Sequence, residues 1–217
     1  MALQYDHILF DLDGTLTDSS EGITKSLQYA LSRHGIEEPD LLKLKQFIGP
    51  PLVTWIQKLY PADDALAAQI VQTYREHYGK TGVYQNAPYP GIPELLETLQ
   101  NASAGLYVAS AKPQMFVDIV LRHFDLDRYF KKALGPPVNK QITEKKEMIL
   151  TALAGESFSR KNTVMIGDTW FDAEGAAKAG VDFIGVLYGF GRKSEMESFG
   201  FSRFARDPEE LREYLIR

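Results

Sequence analysis

The chain has 217 residues, 44% hydrophobic, 12% aromatic and 24% charged, with a net charge of −5 and no cysteine. That composition excludes a disordered chain and supplies a sizeable core without disulfides. The lack of cysteine excludes thiol nucleophiles, zinc fingers and iron–sulfur clusters, and the acidic balance argues against nonspecific nucleic-acid binding. The length suits one large domain or a core carrying a smaller insert.

In chain order, Met-Ala-Leu-Gln-Tyr-Asp-His has no basic segment and no long apolar one, so a secretory signal is not expected. No apolar run approaches the ~20 residues that span a bilayer, so a soluble cytoplasmic protein is expected, with no membrane partner. His7-Ile8-Leu9-Phe10 is a mostly apolar run stopped by Asp11-Leu12-Asp13-Gly14, the pattern of a buried strand ending in a turn. Residues 19–34, 40–47, 52–59 and 63–78 read as amphipathic helices, separated by Gly35, Gly49-Pro50-Pro51 and Pro61. No strand is expected between 15 and 86, a stretch too long for a loop within one βαβ unit. It reads as an inserted helical domain, 17–86, leaving through the Pro- and Gly-rich Asn86-Ala87-Pro88-Tyr89-Pro90-Gly91. Strands are then expected at 105–109, 163–166 and 183–187, and helices at 93–99, 114–123, 144–153 and 173–179. The alternation predicts an α/β fold with a mainly parallel sheet, built from residues 1–16 and 87–217.

Four sites carry candidate chemistry. Asp11-Leu12-Asp13-Gly14-Thr15 ends the first strand, and ligands of parallel sheets bind outside the carboxyl ends of strands. Two carboxylates so close repel unless a cation joins them, and Mg²⁺ favours such hard oxygen ligands. The same residues also suit a simple polar turn. Gly167-Asp168-Thr169-Trp170-Phe171-Asp172 ends another strand in acid. Asp168 and Asp172, four apart, would share a face if both are helical, and Asp168 is also a candidate helix N-cap. Ser110, in Ala109-Ser110-Ala111-Lys112-Pro113, offers a hydroxyl at a strand-to-helix turn, either for a phosphate oxygen or as a cap. Lys145 or Lys146 offers a point charge for phosphate or a solvated helix face. Together these supply a carboxylate nucleophile, a second carboxylate, a hydroxyl, a cation and a metal ligand, the inventory for phosphoryl transfer through an aspartyl phosphate. His7, His34, His77 and His123 show no metal spacing.

These residues resemble the motifs of the haloacid dehalogenase superfamily, on its phosphatase side, nearest the phosphoglycolate phosphatase-like and pyrophosphatase-like group. Asp11-Leu12-Asp13-Gly14-Thr15-Leu16 resembles the first motif, Ser110 with Lys112-Pro113 the second, Lys145 the third, and Gly167-Asp168-Thr169 with Asp172 the fourth. Distance from the following helix favours Lys145 over Lys146. The insert stands where the family places its cap, and Phe47-Ile48-Gly49-Pro50-Pro51-Leu52 and Tyr74-Arg75-Glu76-His77-Tyr78 are similar to caps of that group. The stretch from Leu134 to Lys140 departs from the usual pattern, and Val53 stands where relatives often carry a basic residue.

The resemblance implies a Rossmann-like core with an all-helical cap and a Mg²⁺-dependent phosphatase acting on a small phosphorylated metabolite of the phosphoglycolate kind. It implies Asp11 as nucleophile, Asp13 as acid and base, Ser110 and Lys145 as phosphate ligands, and Asp11, the Asp13 carbonyl and Asp168 as metal ligands. Asp172 would orient the metal shell. The protein would be a monomer or homodimer. A 5′-nucleotidase, a pyrophosphatase and a sugar phosphomutase share these motifs; a phospho-accepting regulatory domain is the non-enzymatic alternative. Asp13 argues against a dehalogenase or phosphonate-cleaving relative. In the cap, Arg33, Lys43, Lys45, Trp55 and Arg75 are expected to be solvated or packed, and Tyr29, Tyr60, Tyr74 and Tyr78 to be core. The glycines of 185–192 are expected in a loop near the site and not in a dinucleotide fold.

Overall fold

A computed structural model describes residues 2–49, 52–138 and 144–216. Pro50, Pro51, Asn139, Lys140 and Thr143, which figure in the sequence reading, lie outside the described residues.

The core is one parallel six-stranded sheet. Its strands are β1 (His7–Phe10), β4 (Gly105–Ala109), β5 (Lys132–Leu134), β6 (Thr163–Gly167), β7 (Asp182–Val186) and β8 (Phe204–Ala205), in the order β5-β4-β1-β6-β7-β8. β1, β4 and β6 are buried along their whole length, as strands covered on both faces must be, and so they read as continuous apolar runs. Ile8 pairs with Leu106 and Val164, Leu9 with Tyr107 and Met165. Alternation along the strands then fills two layers. Ile8, Phe10, Val108 and Ile166 pack with α5 (Ile92–Asn101), α6 (Gln114–His123) and α10 (Pro208–Leu215). Leu9, Tyr107 and Met165 pack with Ile149 and Ala152 of α7 (Lys145–Ala152) and Ala173 and Ala176 of α8 (Trp170–Ala179). A short α9 (Lys193–Glu197) completes this side. The chain runs from β1 outward to β5 and then returns across β1 to β6, so the carboxyl end of β1 is the switch point where such sheets open a crevice.

Between β1 and β4 lie α1 (Ser20–Arg33), α2 (Leu41–Leu44), α3 (Leu52–Leu59) and α4 (Asp64–Lys80). Asp40 and Asp63 cap α2 and α4, accepting from Leu42 N at 2.9 Å and Leu66 N at 2.8 Å. The expected helix at 40–47 is a single α-helical turn followed by a 3₁₀ turn, Lys45–Phe47. The expectation of no strand between 15 and 86 is corrected: β2 (Thr17–Asp18) pairs antiparallel with β3 (Ala87–Pro88). Two residues are too few for any periodicity to show. This ladder ties together the two chain segments that join helices and sheet. Tyr188 reinforces it, its hydroxyl donating to Thr15 O at 3.1 Å while its ring meets Tyr89 edge-on. Tyr29 is also corrected: it is 43% exposed and stacks on His77, whereas Tyr60, Tyr74 and Tyr78 are buried. No helix among the described residues is long and apolar enough to cross a membrane.

Candidate active site

Asp11 leaves β1 with its backbone N–H still donating to Ile166 O at 2.9 Å. Its carboxylate is therefore fixed beside the end of β6. Leu12 turns into the core, and Asp13 comes out on the same side as Asp11. Gly14 has φ +83, the left-handed region that glycine enters without strain. A Cβ there would stand 2.2 Å from Asp168 Oδ2, so the turn after β1 closes against Asp168 only because this residue is glycine.

Asp168 is fully buried after β6. It accepts from Phe190 N at 2.8 Å and Thr15 Oγ1 at 3.4 Å, so the loop after β7 does reach the site. The expected helix geometry is corrected here. Thr169, not Asp168, is the N-cap of α8, and Asp172 folds back to accept from Thr169 N at 3.1 Å and Thr169 Oγ1 at 2.9 Å. Asp168 and Asp172 thus meet through the turn and not along one helical face. Oxygens of Asp11, Asp168 and Asp172 all lie within 4.8 Å of one another.

Lys145 opens α7 and is 1% exposed. Its Nζ lies 2.8 Å from Asp11 Oδ1 and 2.6 Å from Asp172 Oδ1. A Cβ on Gly175 of α8 would approach Lys145 Cβ to 2.5 Å, so a glycine there admits the lysine stem between the helices. Lys146 takes no part. Burial pushes the Asp11 carboxyl up to about 6, against the opposing pull of Lys145. Burial and the neighbouring carboxylates raise Asp168 well above the usual range. Burial works against the Lys145 ammonium, but Asp11 and Asp172 outweigh it and hold the lysine charged. Three buried carboxylates against one buried ammonium leave an excess of hard anionic oxygens, a donor set that fits Mg²⁺. The Asp13 side chain is not in this cluster. Any contact from Asp13 to such a metal would come from its backbone.

The Asp13 carboxylate is held instead by Lys112, whose Nζ donates to both oxygens at 2.9 and 2.8 Å and sits 4.6 Å from the Tyr78 ring centre. The sequence reading gave Lys112 no role. Its signal was position, two residues past Ser110 at a strand end. Ser110 is 1% exposed, and its Oγ accepts from Lys112 N at 3.2 Å.

A cavity of about 270 Å³ opens over these groups. Asp11, Asp13, Ser110 and Lys112 form its floor, and Phe47, Leu52, Val53, Val71, Tyr74 and Arg75 are among the residues of its wall. The Tyr74 and Tyr78 phenols are buried and pushed far above their ordinary range by that burial, so they stay neutral. Arg33, Lys43, Lys45 and Trp55 do not line the cavity. Lys43 pairs with Glu38, and Trp55 packs edge-on against Phe47. None of the four histidines joins the site; His7 contacts Tyr107, and His77 contacts Ser26 at 3.0 Å.

The haloacid dehalogenase-like hydrolase model matches residues 8–186. A 5′-nucleotidase of Pseudomonas aeruginosa is 46% identical over 99% of this chain and 97% of its own length. A phosphoglycolate phosphatase of Aquifex aeolicus is 30% identical over 90% of this chain and 92% of its own. The crystal structure of a predicted phosphatase from Clostridium acetobutylicum superposes with a TM-score of 0.91 at 37% identity, covering 96% of this chain and 97% of that one. With the parallel sheet, the acids at its carboxyl edge and the helical insert between β1 and β4, these likenesses make the chain a member of the haloacid dehalogenase-like hydrolase family, an enzyme of its phosphatase group.

Proposed function

We propose that the protein hydrolyses a small phosphomonoester in two steps through an aspartyl phosphate on Asp11, with Mg²⁺ held by Asp11, Asp168 and the Asp13 carbonyl. The observation that carries this reading is a division among the buried acids. Asp11 and Asp13 line the cavity, while Asp168 and Asp172 lie behind it. A nucleophile and a proton donor must face substrate, whereas metal ligands need only face the nucleophile.

An Asp11 oxygen bonds to phosphorus as the ester P–O bond breaks, and Asp13 gives its proton to the leaving oxygen. Asp13 then takes a proton from water, whose oxygen bonds to phosphorus and releases Asp11. Ser110 and Lys145 hold the transferring oxygens, and Asp172 orients Lys145. Mg²⁺ supplies charge neutralisation, without which an anionic nucleophile is repelled by an anionic ester.

A cavity of about 270 Å³ suits a small phosphorylated metabolite, and the 30% identical phosphoglycolate phosphatase favours glycolate as the leaving group. The aromatic wall and the 46% identical 5′-nucleotidase favour a nucleoside 5′-monophosphate as the second reading. Phosphate release is measured on 2-phosphoglycolate, 5′-nucleotides, pyrophosphate and sugar phosphates. Turnover should need Mg²⁺, stop in EDTA and vanish in Asp11→Asn. Substantial turnover by Asp11→Asn would refute the nucleophile.

A further inference from the structure

Among the described residues, four charged ones line the cavity: Asp11, Asp13, Lys112 and Arg75. Three of them have a partner. Asp11 has Lys145 at 2.8 Å, and Asp13 and Lys112 have each other at 2.8 Å. Arg75 has no hydrogen bond or ion pair among the described residues, although it is half-buried. It stands on the stripe of α4 made by Ala68, Val71, Arg75 and Tyr78, spaced so that all turn to one side, and among the described residues it is the one charged residue that the helical insert brings to this cavity. Its neighbours on the wall, Leu52, Val53, Val71 and Tyr74, offer no carboxylate. Burial lowers its pKa, as for a cation short of compensation, though it remains far too basic to lose its proton.

We infer that Arg75 is the specificity-determining residue for the leaving group, and that the substrate is a phosphomonoester whose alcohol carries a second oxyanion, a carboxylate or a phosphate. The inference rests on the phosphatase reading above. The transferring phosphoryl group belongs at Asp11 and Ser110, and the leaving oxygen at Asp13. The remainder of the substrate then extends into the apolar part of the cavity, whose wall carries this guanidinium. A guanidinium there is a poor neighbour for a neutral apolar group and a good one for a planar oxyanion, which it can grip with two parallel N–H donors. Leu52 and Val53, which line the same cavity from α3, are apolar. The charge on this wall therefore comes from α4, through Arg75.

The test compares 2-phosphoglycolate with 2-hydroxyethyl phosphate, esters of one size that differ by a carboxylate against a neutral CH₂OH. The readout is the ratio of their kcat/KM values. The wild type should favour the carboxylate. Arg75→Gln should reduce that ratio about 10- to 100-fold, mainly through KM for the carboxylate, the range for losing a charge-assisted hydrogen bond. Arg75→Lys should restore part of it. A ratio unchanged by Arg75→Gln, or loss of the same size on 5′-nucleotides, overturns the inference. Calorimetric binding of both esters to Asp11→Asn, with and without Arg75→Gln, decides the arginine independently of turnover. If the wild type turns over neither these esters nor any other in the panel, the phosphatase reading fails. If the carboxylate ester binds Asp11→Asn equally well without Arg75, the leaving-group assignment fails.

Discussion

Lys145→Met tests how the buried charges hold the core together. Lys145 is 1% exposed and lies within 2.8 Å of Asp11 and 2.6 Å of Asp172. Methionine keeps the stem and removes the ammonium, leaving three carboxylates buried within 4.8 Å of one another with no cation among them. Removing one partner of a buried ion pair costs about 3–5 kcal/mol. At roughly 2–4 °C per kcal/mol for a chain of this size, the metal-free Tm should fall by about 6–20 °C. The loss should depend on pH. The Asp11 carboxyl is raised from 3.8 to about 6 by burial, so in EDTA its ionisation opposes folding by about 3 kcal/mol once pH passes 6. Stability from this group is complete below 3.8 and is lost as pH rises through about 6. Without Lys145 to offset burial that loss grows, so the deficit of Lys145→Met should be larger at pH 8 than at pH 5. Thermal unfolding in EDTA at both pH values measures it, and Mg²⁺ should recover part of the loss at pH 8. Asp172→Asn in the same chain should reduce the cost of Lys145→Met, since the two changes share a partner. A Tm lowered by less than about 2 °C in EDTA at pH 8, or a deficit that grows as pH falls, would refute the reasoning.

Asp13→Asn should lower kcat by about 10²–10⁴ on alkyl phosphates and by much less on p-nitrophenyl phosphate, whose leaving group needs no proton; equal losses on both would remove Asp13 as the acid. Gly14→Ala must hold alanine at φ +83 with its Cβ 2.2 Å from Asp168 Oδ2. It should cost about 1–2 kcal/mol in backbone strain alone and weaken Mg²⁺ at least tenfold by displacing Asp168, and an unchanged calorimetric Mg²⁺ affinity would show that Asp168 is no ligand. Because protons and metal compete for Asp11, apparent Mg²⁺ affinity should be flat above neutral pH and fall about tenfold per pH unit below about 6, with Asp168 steepening the fall. A calorimetric Kd constant from pH 7 to 5 would exclude both carboxylates from the metal site.

The long buried elements were legible because burial on both faces writes itself as continuous apolar sequence. β1 and β4 fall where that pattern puts them, β7 begins one residue earlier, and α6 spans Gln114–His123 as read. The strands β2, β3, β5 and β8 have two or three residues each, too few for a two-residue alternation to repeat. α10 did carry signals, an Asp207 cap with Pro208 and two glutamates in its first turn, and went unread for want of a long apolar stripe. At the site, acids at strand ends stand out because such residues are costly to bury. A cation is less conspicuous. Lys112 two residues after a serine looks like the start of a helix, and Arg75 on an amphipathic helix looks solvated. Only packing distinguishes them, because whether a cation meets a carboxylate 99 residues away is decided by the sheet and by no local pattern.

The two buried lysines serve different acids, and the separation bears on mechanism. Lys145 bridges Asp11, at the end of β1, and Asp172 on α8. Lys112 reaches from the turn after β4 to Asp13. Each lysine comes from an element other than that of its acid, so neither ion pair forms until β1, β4 and the helices behind them have assembled. The acids outnumber these lysines by two, with the excess on the side of Asp168 and Asp172, where a divalent cation would neutralise it without touching the Asp13–Lys112 pair. Asp11 and Asp13 are thus placed in separate electrostatic settings although one residue lies between them. Among the described charged residues that line the cavity, Arg75 alone has no hydrogen-bond or ion-pair partner.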